Sequence, residues 1–378
     1  MRQWGLTRVA VLGLASVTPG ALAMQAPCPS GEVEGCLLQQ AKHHPDDFAA
    51  QHELGEYYLR NHRLPDGIAR MEKAHQLRPE DYATDYDLSL AYLDADQLQR
   101  AASELAGMIA HHETAEADNL LAEVDARSGD YNEAAVKYHR AAELDPSENN
   151  IFDLASFLLQ HPRYEGFLTN AAAFFRYGVQ KYPRSAKLMV GLGVTLYAQG
   201  QYDEAVHTLC AAVDLNPSDP RPYEFLGKVS KRSPALLPDI RTRLEGFVRL
   251  YPDNGAASYY YAMILWQRTE GEVSPNEHTV EALLQKAIAA DPNLYEAHFQ
   301  LGVLYQDELR YADAITQFNQ TLELRPDYNR AHYHLVMLYS RTHQKALADQ
   351  HLAALKQIKQ EDADAEERGD TPASTVPQ

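Results

Sequence analysis

The sequence predicts an all-α fold, a row of antiparallel helix pairs stacked side by side. Two patterns carry that expectation. Prolines punctuate the chain at Pro45, Pro79, Pro146, Pro183, Pro217, Pro252, Pro292 and Pro326, in steps of 34, 67, 37, 34, 35, 40 and 34 residues. Between them recurs a leucine followed by a small residue: Leu54-Gly55, Leu88-Ser89, Leu121-Ala122, Leu154-Ala155, Leu192-Gly193, Leu226-Gly227 and Leu301-Gly302. A fixed period of this length marks a repeat architecture, in which each unit buries its apolar face on its neighbours.

The first element is an address. Residues 1–23 carry Arg2 and Arg8, then an apolar run from Val9 to Val17, a break at Pro19 and Gly20, and the small-spaced Ala21-Leu22-Ala23. That order reads as a secretory signal peptide cleaved to leave Met24 first. Residues 24–47 form an N-terminal cap. Cys28 and Cys36 flank a glycine-containing stretch and are expected to pair in an oxidising compartment. Two free thiols is the other reading; lipid attachment at Cys28 fits poorly with Pro27 and Gln25 before it. Cys36 to His44 resembles a lone second helix stopped by Pro45, and Cys210 lies in a helical pattern as a packed free thiol.

Residues 48–360 hold nine repeats, because the 67-residue step conceals one in which Glu113 replaces the proline. Second helices open on a small residue (Gly67, Ala101, Ala134, Ala205, Ala314), with a bulky one four positions on (Met71, Leu105, Tyr138, Leu209, Phe318). Small residues let two helices approach at their crossing while larger ones fill the space above and below. Proline stops the second helix and turns the residue before it extended. Extra residues at 161–167, 233–238 and 269–278 alter the fourth, sixth and seventh repeats, and Val336 replaces the small residue of the ninth. Residues 361–378 are acidic, nearly devoid of apolar side chains, and expected to be disordered.

Composition narrows the function. The chain has 378 residues, a net charge of −19, and 45% hydrophobic residues. The acidic balance argues against a phosphate-binding nucleic-acid face and against docking on anionic membranes. Beyond the signal no stretch is apolar enough to span a bilayer, so no membrane insertion is expected after its removal.

These columns resemble the tetratricopeptide repeat, most fully at residues 188–217, LMVGLGVTLYAQGQYDEAVHTLCAAVDLNP. The resemblance implies a right-handed superhelical solenoid whose first helices line a concave groove that holds a protein or peptide. Carried over position by position, it implies a groove set of Tyr86, Tyr197, Lys228, Tyr259, Met263, Trp266, Phe299 and Tyr333. Tyr259, Trp266, Phe299 and Tyr333 are expected to form one continuous aromatic strip. The competing reading is that these aromatics pack between neighbouring repeats. Lys228, Lys231 and Arg232 make a basic island or, alternatively, a solvated helix end. His52 and Glu56, and Asn119 and Glu123, depart from the apolar pattern at the same positions.

Chemistry is sparse. No His-Glu-x-x-His, Gly-x-Ser-x-Gly, Ser-x-x-Lys, Cys-x-x-Cys or phosphate loop occurs. Neighbouring histidines such as His43-His44 and His111-His112 do not share a helix face, and Asp81, Asp85 and Asp87 read as a solvated acidic face. The expectation is therefore no catalytic residue, no cofactor and no metal ligand. The leading function is a non-enzymatic scaffold that is exported to the periplasm, or else secreted, and binds a peptide or helix. The alternative is a structural subunit of a cell-envelope assembly or secretion complex. Oligomeric state has no signal in the sequence.

Overall fold

The computed structural model describes residue 28 and residues 33–162, 164–266 and 277–367, with side chains as far as 361; the signal segment and the final residues lie outside it. The chain forms two compact units, residues 1–112 and 113–378. The division falls at Glu113, where the repeat proline is missing.

In the first unit α1 (Val33–His43) is followed by two helix pairs: α2 (Phe48–Arg60) with α3 (Leu64–Leu77), and α4 (Tyr82–Asp94) with α5 (Leu98–His111). The second unit has seven pairs. They are α6 (Ala115–Ser128) with α7 (Tyr131–Leu144), α8 (Glu148–Gln160) with α9 (Phe167–Lys181), α10 (Ala186–Ala198) with α11 (Tyr202–Leu215), and α12 (Arg221–Val229) with α13 (Leu237–Leu250). Then come α14 (Gly255–Trp266) with α15 (Glu277–Ala290), α16 (Tyr295–Asp307) with α17 (Tyr311–Leu324), and α18 (Asn329–Arg341) with α19 (Lys345–Glu367). Among the described residues these make nine pairs, and every regular element is helical. No described helix is long and apolar enough to cross a membrane.

Each pair is bounded by the chemistry its sequence supplies. The second helix ends two residues before the proline, and the residue between is extended: Arg78 at φ −138°, Asp145 at −134°, Asn216 at −140° and Arg325 at −139°. Steric conflict with the proline ring forces that geometry. Several of the following helices are capped by a short polar side chain that accepts from a free backbone N–H: Asp81 from Thr84 at 3.1 Å, Thr114 from Ala117 at 3.2 Å, Ser185 from Leu188 at 3.2 Å. Between the two helices of a pair sits a residue in the left-handed region, Gly129 and Gly200 in two turns but His62, Asp96, Leu309 and His343 in others.

The small residues do sit at the crossings. A Cβ on Gly193 would lie 2.6 Å from Leu209 Cγ, and one on Gly302 2.8 Å from Phe318 Cε1. The buried side chains fall into successive clusters along the second unit: Leu154 with Phe167, Phe175 with Leu192, Tyr223 with Leu244, and Phe299 with Leu335. In the first unit Cys28, disulfide-bonded to Cys36, packs on a cluster of Leu37, Ala41, Ala50, Leu54 and Tyr58. Cys210 is free and buried, and burial pushes its thiol up to about 11.

One expectation needs correction, and another is given its form. The repeat region was expected to give way to a disordered tail at 361, but α19 continues to Glu367. The stretch EDADAEE holds three Glu and two Ala, residues of high helix propensity. The sixth pair has a first helix of only nine residues, followed by a 3₁₀ turn at Pro234–Leu236, because the prolines of SPALLP interrupt α-helical bonding there. The insertion at 269–278 falls mostly outside the described residues.

Candidate functional site

In the second unit α10 touches both α8 and α12, and α12 touches α14, so the first helices from α8 to α14 make one continuous face. Tyr197, half-buried on α10, meets Tyr202 at 5.8 Å and Phe225 of α12 at 5.9 Å, both edge-on. Lys228 bonds Glu224 at 2.7 Å, and its ammonium lies 5.3 Å from the centre of the Phe225 ring. The basic island is thus partly neutralised within its own helix, and Phe225, which the positional rule passed over, joins Tyr197 to Lys228.

On α14, Tyr259, Met263 and Trp266 are all half-buried. Tyr259 and Trp266 pack against the cluster that contains Phe299, Leu301 and Leu304. Burial, with the Glu296 charge adding to it, raises the Tyr259 phenol well above its usual range, so its hydroxyl stays protonated. Tyr260 lies over Gly227, whose Cβ would fall 2.2 Å from the ring.

The expected aromatic strip is broken at Phe299, which is fully buried. Tyr328 meets it edge-on at 5.1 Å, Phe318 lies at 5.6 Å, His334 at 5.5 Å, and the Arg330 guanidinium covers it at 4.7 Å. The next repeat closes over this position, so Phe299 is core and not groove. Tyr333 is the opposite case, 57% exposed, with Met337 at 46% one turn further along α18. Tyr86 belongs to the first unit, half-buried and stacked on Tyr82 at 6.1 Å.

The first unit also gathers side chains that motif searching leaves scattered. His52, Glu56 and Asp87 bring three potential ligand atoms within 4.8 Å of one another, as do His75, Asp85 and Glu104. His52 Nε2 is buried with no hydrogen-bond partner. Burial first, then the Glu56 charge, raises the Asp87 carboxyl. The three aspartates are not one solvated face: Asp81 caps α4, Asp85 is buried and Asp87 is half-buried. His52 and Glu56 are two of the residues that depart from the apolar groove pattern.

Successive helix pairs with proline stops and small residues at the crossings define a repeat-built scaffold. Residues 193–232 match the family description TPR repeat, and residues 299–366 match Tetratricopeptide repeat. The chain is a tetratricopeptide-repeat protein. Such proteins are as a rule protein-binding scaffolds and not enzymes.

Among curated proteins, the BBSome complex member BBS4 homolog of Drosophila melanogaster is 25% identical over 176 residues, covering 46% of this chain. The match spans 36% of that relative's length. Among solved structures, a tetratricopeptide repeat protein from Parabacteroides merdae is 14% identical, covering 68% of this chain and 98% of its own, at a TM-score of 0.45. YrrB, described as a TPR protein with an unusual peptide-binding site, is 18% identical, covering 49% of this chain and 95% of its own, at a TM-score of 0.40.

Proposed function

We propose that the protein is a non-enzymatic scaffold working outside the cytoplasm, which holds a peptide or helix against the first-helix face of its second unit. The observation that carries this is the row of partly exposed apolar side chains there: Tyr197, Phe225, Tyr259, Met263, Trp266 and Tyr333. Aromatic side chains give large contact area at small entropic cost, which makes them good anchors. The net charge of −19 favours a partner segment that mixes apolar with basic residues. The signal-like N-terminus and the Cys28–Cys36 bond support export, to the periplasm in the first instance.

The test uses crosslinking capture from an envelope fraction with the full chain, Trp266→Ala and Tyr333→Ala. Each substitution should weaken capture by about 2 kcal/mol, tenfold or more, while the variants keep their helical spectrum. Unchanged capture by both defeats the groove reading. A mature N-terminus at Met24 with a Cys28–Cys36 peptide supports the compartment; a start at Met1 with reduced cysteines defeats it.

A second reading has its own observation. Val136, Tyr177 and Leu250, on the second helices α7, α9 and α13, are 60%, 46% and 59% exposed. They fit a structural subunit held in an envelope assembly by its outer face. Co-purification that survives groove substitutions but not changes at these three residues favours it.

A further inference from the structure

Several repeats share a polar couple. A side chain four residues before the small residue of the first helix meets one nineteen positions on, in the second helix. Arg70 donates to Gln51 at 3.1 Å and Lys137 to Asp118 at 3.4 Å. His298 pairs with Gln317 at 2.8 Å and His332 with His351 at 2.9 Å. Each couple is complementary in charge or in hydrogen bonding. The α4–α5 pair departs from these four: its two positions hold Asp85 and Glu104, both carboxylates. The Asp85 side chain is 8% exposed and that of Glu104 21%. Two carboxylates this shielded repel each other unless a cation lies between them.

His75 reaches that point from α3. Its Nδ1 is 2.6 Å from Asp85 Oδ1 and 3.4 Å from Glu104 Oε1, and all three donor atoms lie within 4.8 Å of one another. A protonated His75 leaves the cluster with one negative charge in excess. A divalent ion on a neutral imidazole balances both carboxylates.

We propose that His75, Asp85 and Glu104 bind a divalent transition-metal ion of the zinc type. One imidazole nitrogen and two carboxylate oxygens fill three positions of a tetrahedral site, where bonds of about 2.0–2.2 Å place the donors roughly 3.3 Å apart. The His75–Glu104 spacing already has that value. The His75–Asp85 spacing opens by less than about 1 Å as the ion takes the place of the Nδ1 proton, which leaves to solvent. The same three residues line a cavity of about 330 Å³ whose wall includes Glu80, His111 and His112. A water, or one of those side chains, has room to complete the shell. The ligands come from three helices of two successive repeats, so the ion ties α3 to the α4–α5 pair.

The full chain, stripped with EDTA and dialysed against micromolar Zn²⁺, should hold one zinc per molecule and melt at a higher temperature than without it. Glu104→Gln and Asp85→Asn should each weaken zinc binding at least tenfold. His52→Gln, in the separate cluster, should leave it unchanged. Circular dichroism shows which variants fold, and Glu104, the more exposed of the two acids, keeps the test decisive if Asp85→Asn does not. No zinc on the folded wild-type chain, wild-type affinity in Glu104→Gln, or loss in His52→Gln instead overturns the proposal.

Discussion

His332 and His351 meet nitrogen to nitrogen, their Nδ1 atoms 2.9 Å apart between α18 and α19. His332 Nε2 lies 3.0 Å from the carbonyl oxygen of Pro326, which can only accept. The neutral His332 ring therefore carries its proton on Nε2, and its Nδ1 accepts from His351. The His351 ring in turn stacks on Tyr339 at 5.6 Å.

This arrangement predicts acid sensitivity in the second unit. Burial, and then the nearby His332, holds the His351 pKa below its ordinary value. Burial does the same to His161, and to His334, where Arg330 adds and Asp307 opposes. With folded pKa values depressed, the unfolded chain binds more protons, so these groups contribute fully above about pH 6.5 and lose their contribution as pH falls through the folded values. The urea midpoint should be lower at about pH 5 than at about pH 7.5, and His351→Gln should shrink that difference. A difference unaltered in the variant contradicts the assignment.

Phe299 and Tyr333 occupy the same register and should respond in opposite ways. Phe299→Ala removes a fully buried ring and should cost about 3–5 kcal/mol of unfolding free energy. Tyr333→Ala should stay within about 0.5 kcal/mol, because the side chain is 57% exposed. Denaturant titration of both variants separates core from surface directly.

Two glycines should give effects of opposite sign. A Cβ on Gly191 would lie 2.2 Å from Phe175, a ring with no exposed surface, so Gly191→Ala should cost about 1–3 kcal/mol. Gly246 lies within α13 with nothing near its missing Cβ, so Gly246→Ala should stabilise by about 0.5–1 kcal/mol through helix propensity alone. Thermal melts of the two variants decide.

Leu309 holds a left-handed turn at φ 61° with 67% of its surface exposed. It gains little from burial and bears the steric cost of that region. Leu309→Asn should raise stability by about 0.5–1 kcal/mol, since asparagine tolerates the conformation. A lower melting temperature would mean the leucine makes contacts that outweigh its strain.

The periodic features were legible because they are local. A proline stops its own helix, and a glycine admits the helix it crosses, so Pro217 and Gly193 could be read without knowing anything distant. Phe299 and Tyr333 show where that ends. Their sequence positions are equivalent, but Tyr328, just before α18, and Arg330 and His334 within it close over Phe299, and no described first helix follows Tyr333. The His75, Asp85 and Glu104 cluster was hidden for a related reason. Its members are separated by a helix turn-around on one side and a full helix crossing on the other, so no motif of fixed short spacing contains them. The one sequence signal was two acids nineteen residues apart, at positions that hold complementary side chains in four other repeats.

The succession of small buried clusters along residues 113–378 has a mechanical consequence. Tension applied to the ends of this segment meets several weak locks in series and no single strong one. As each pair gives way, a length of about 34 residues is released, and extended chain spans roughly 3.3–3.6 Å per residue. The segment should lengthen in steps of about ten nanometres at modest force and rewind one pair at a time when the load is removed, behaving as an extensible tether.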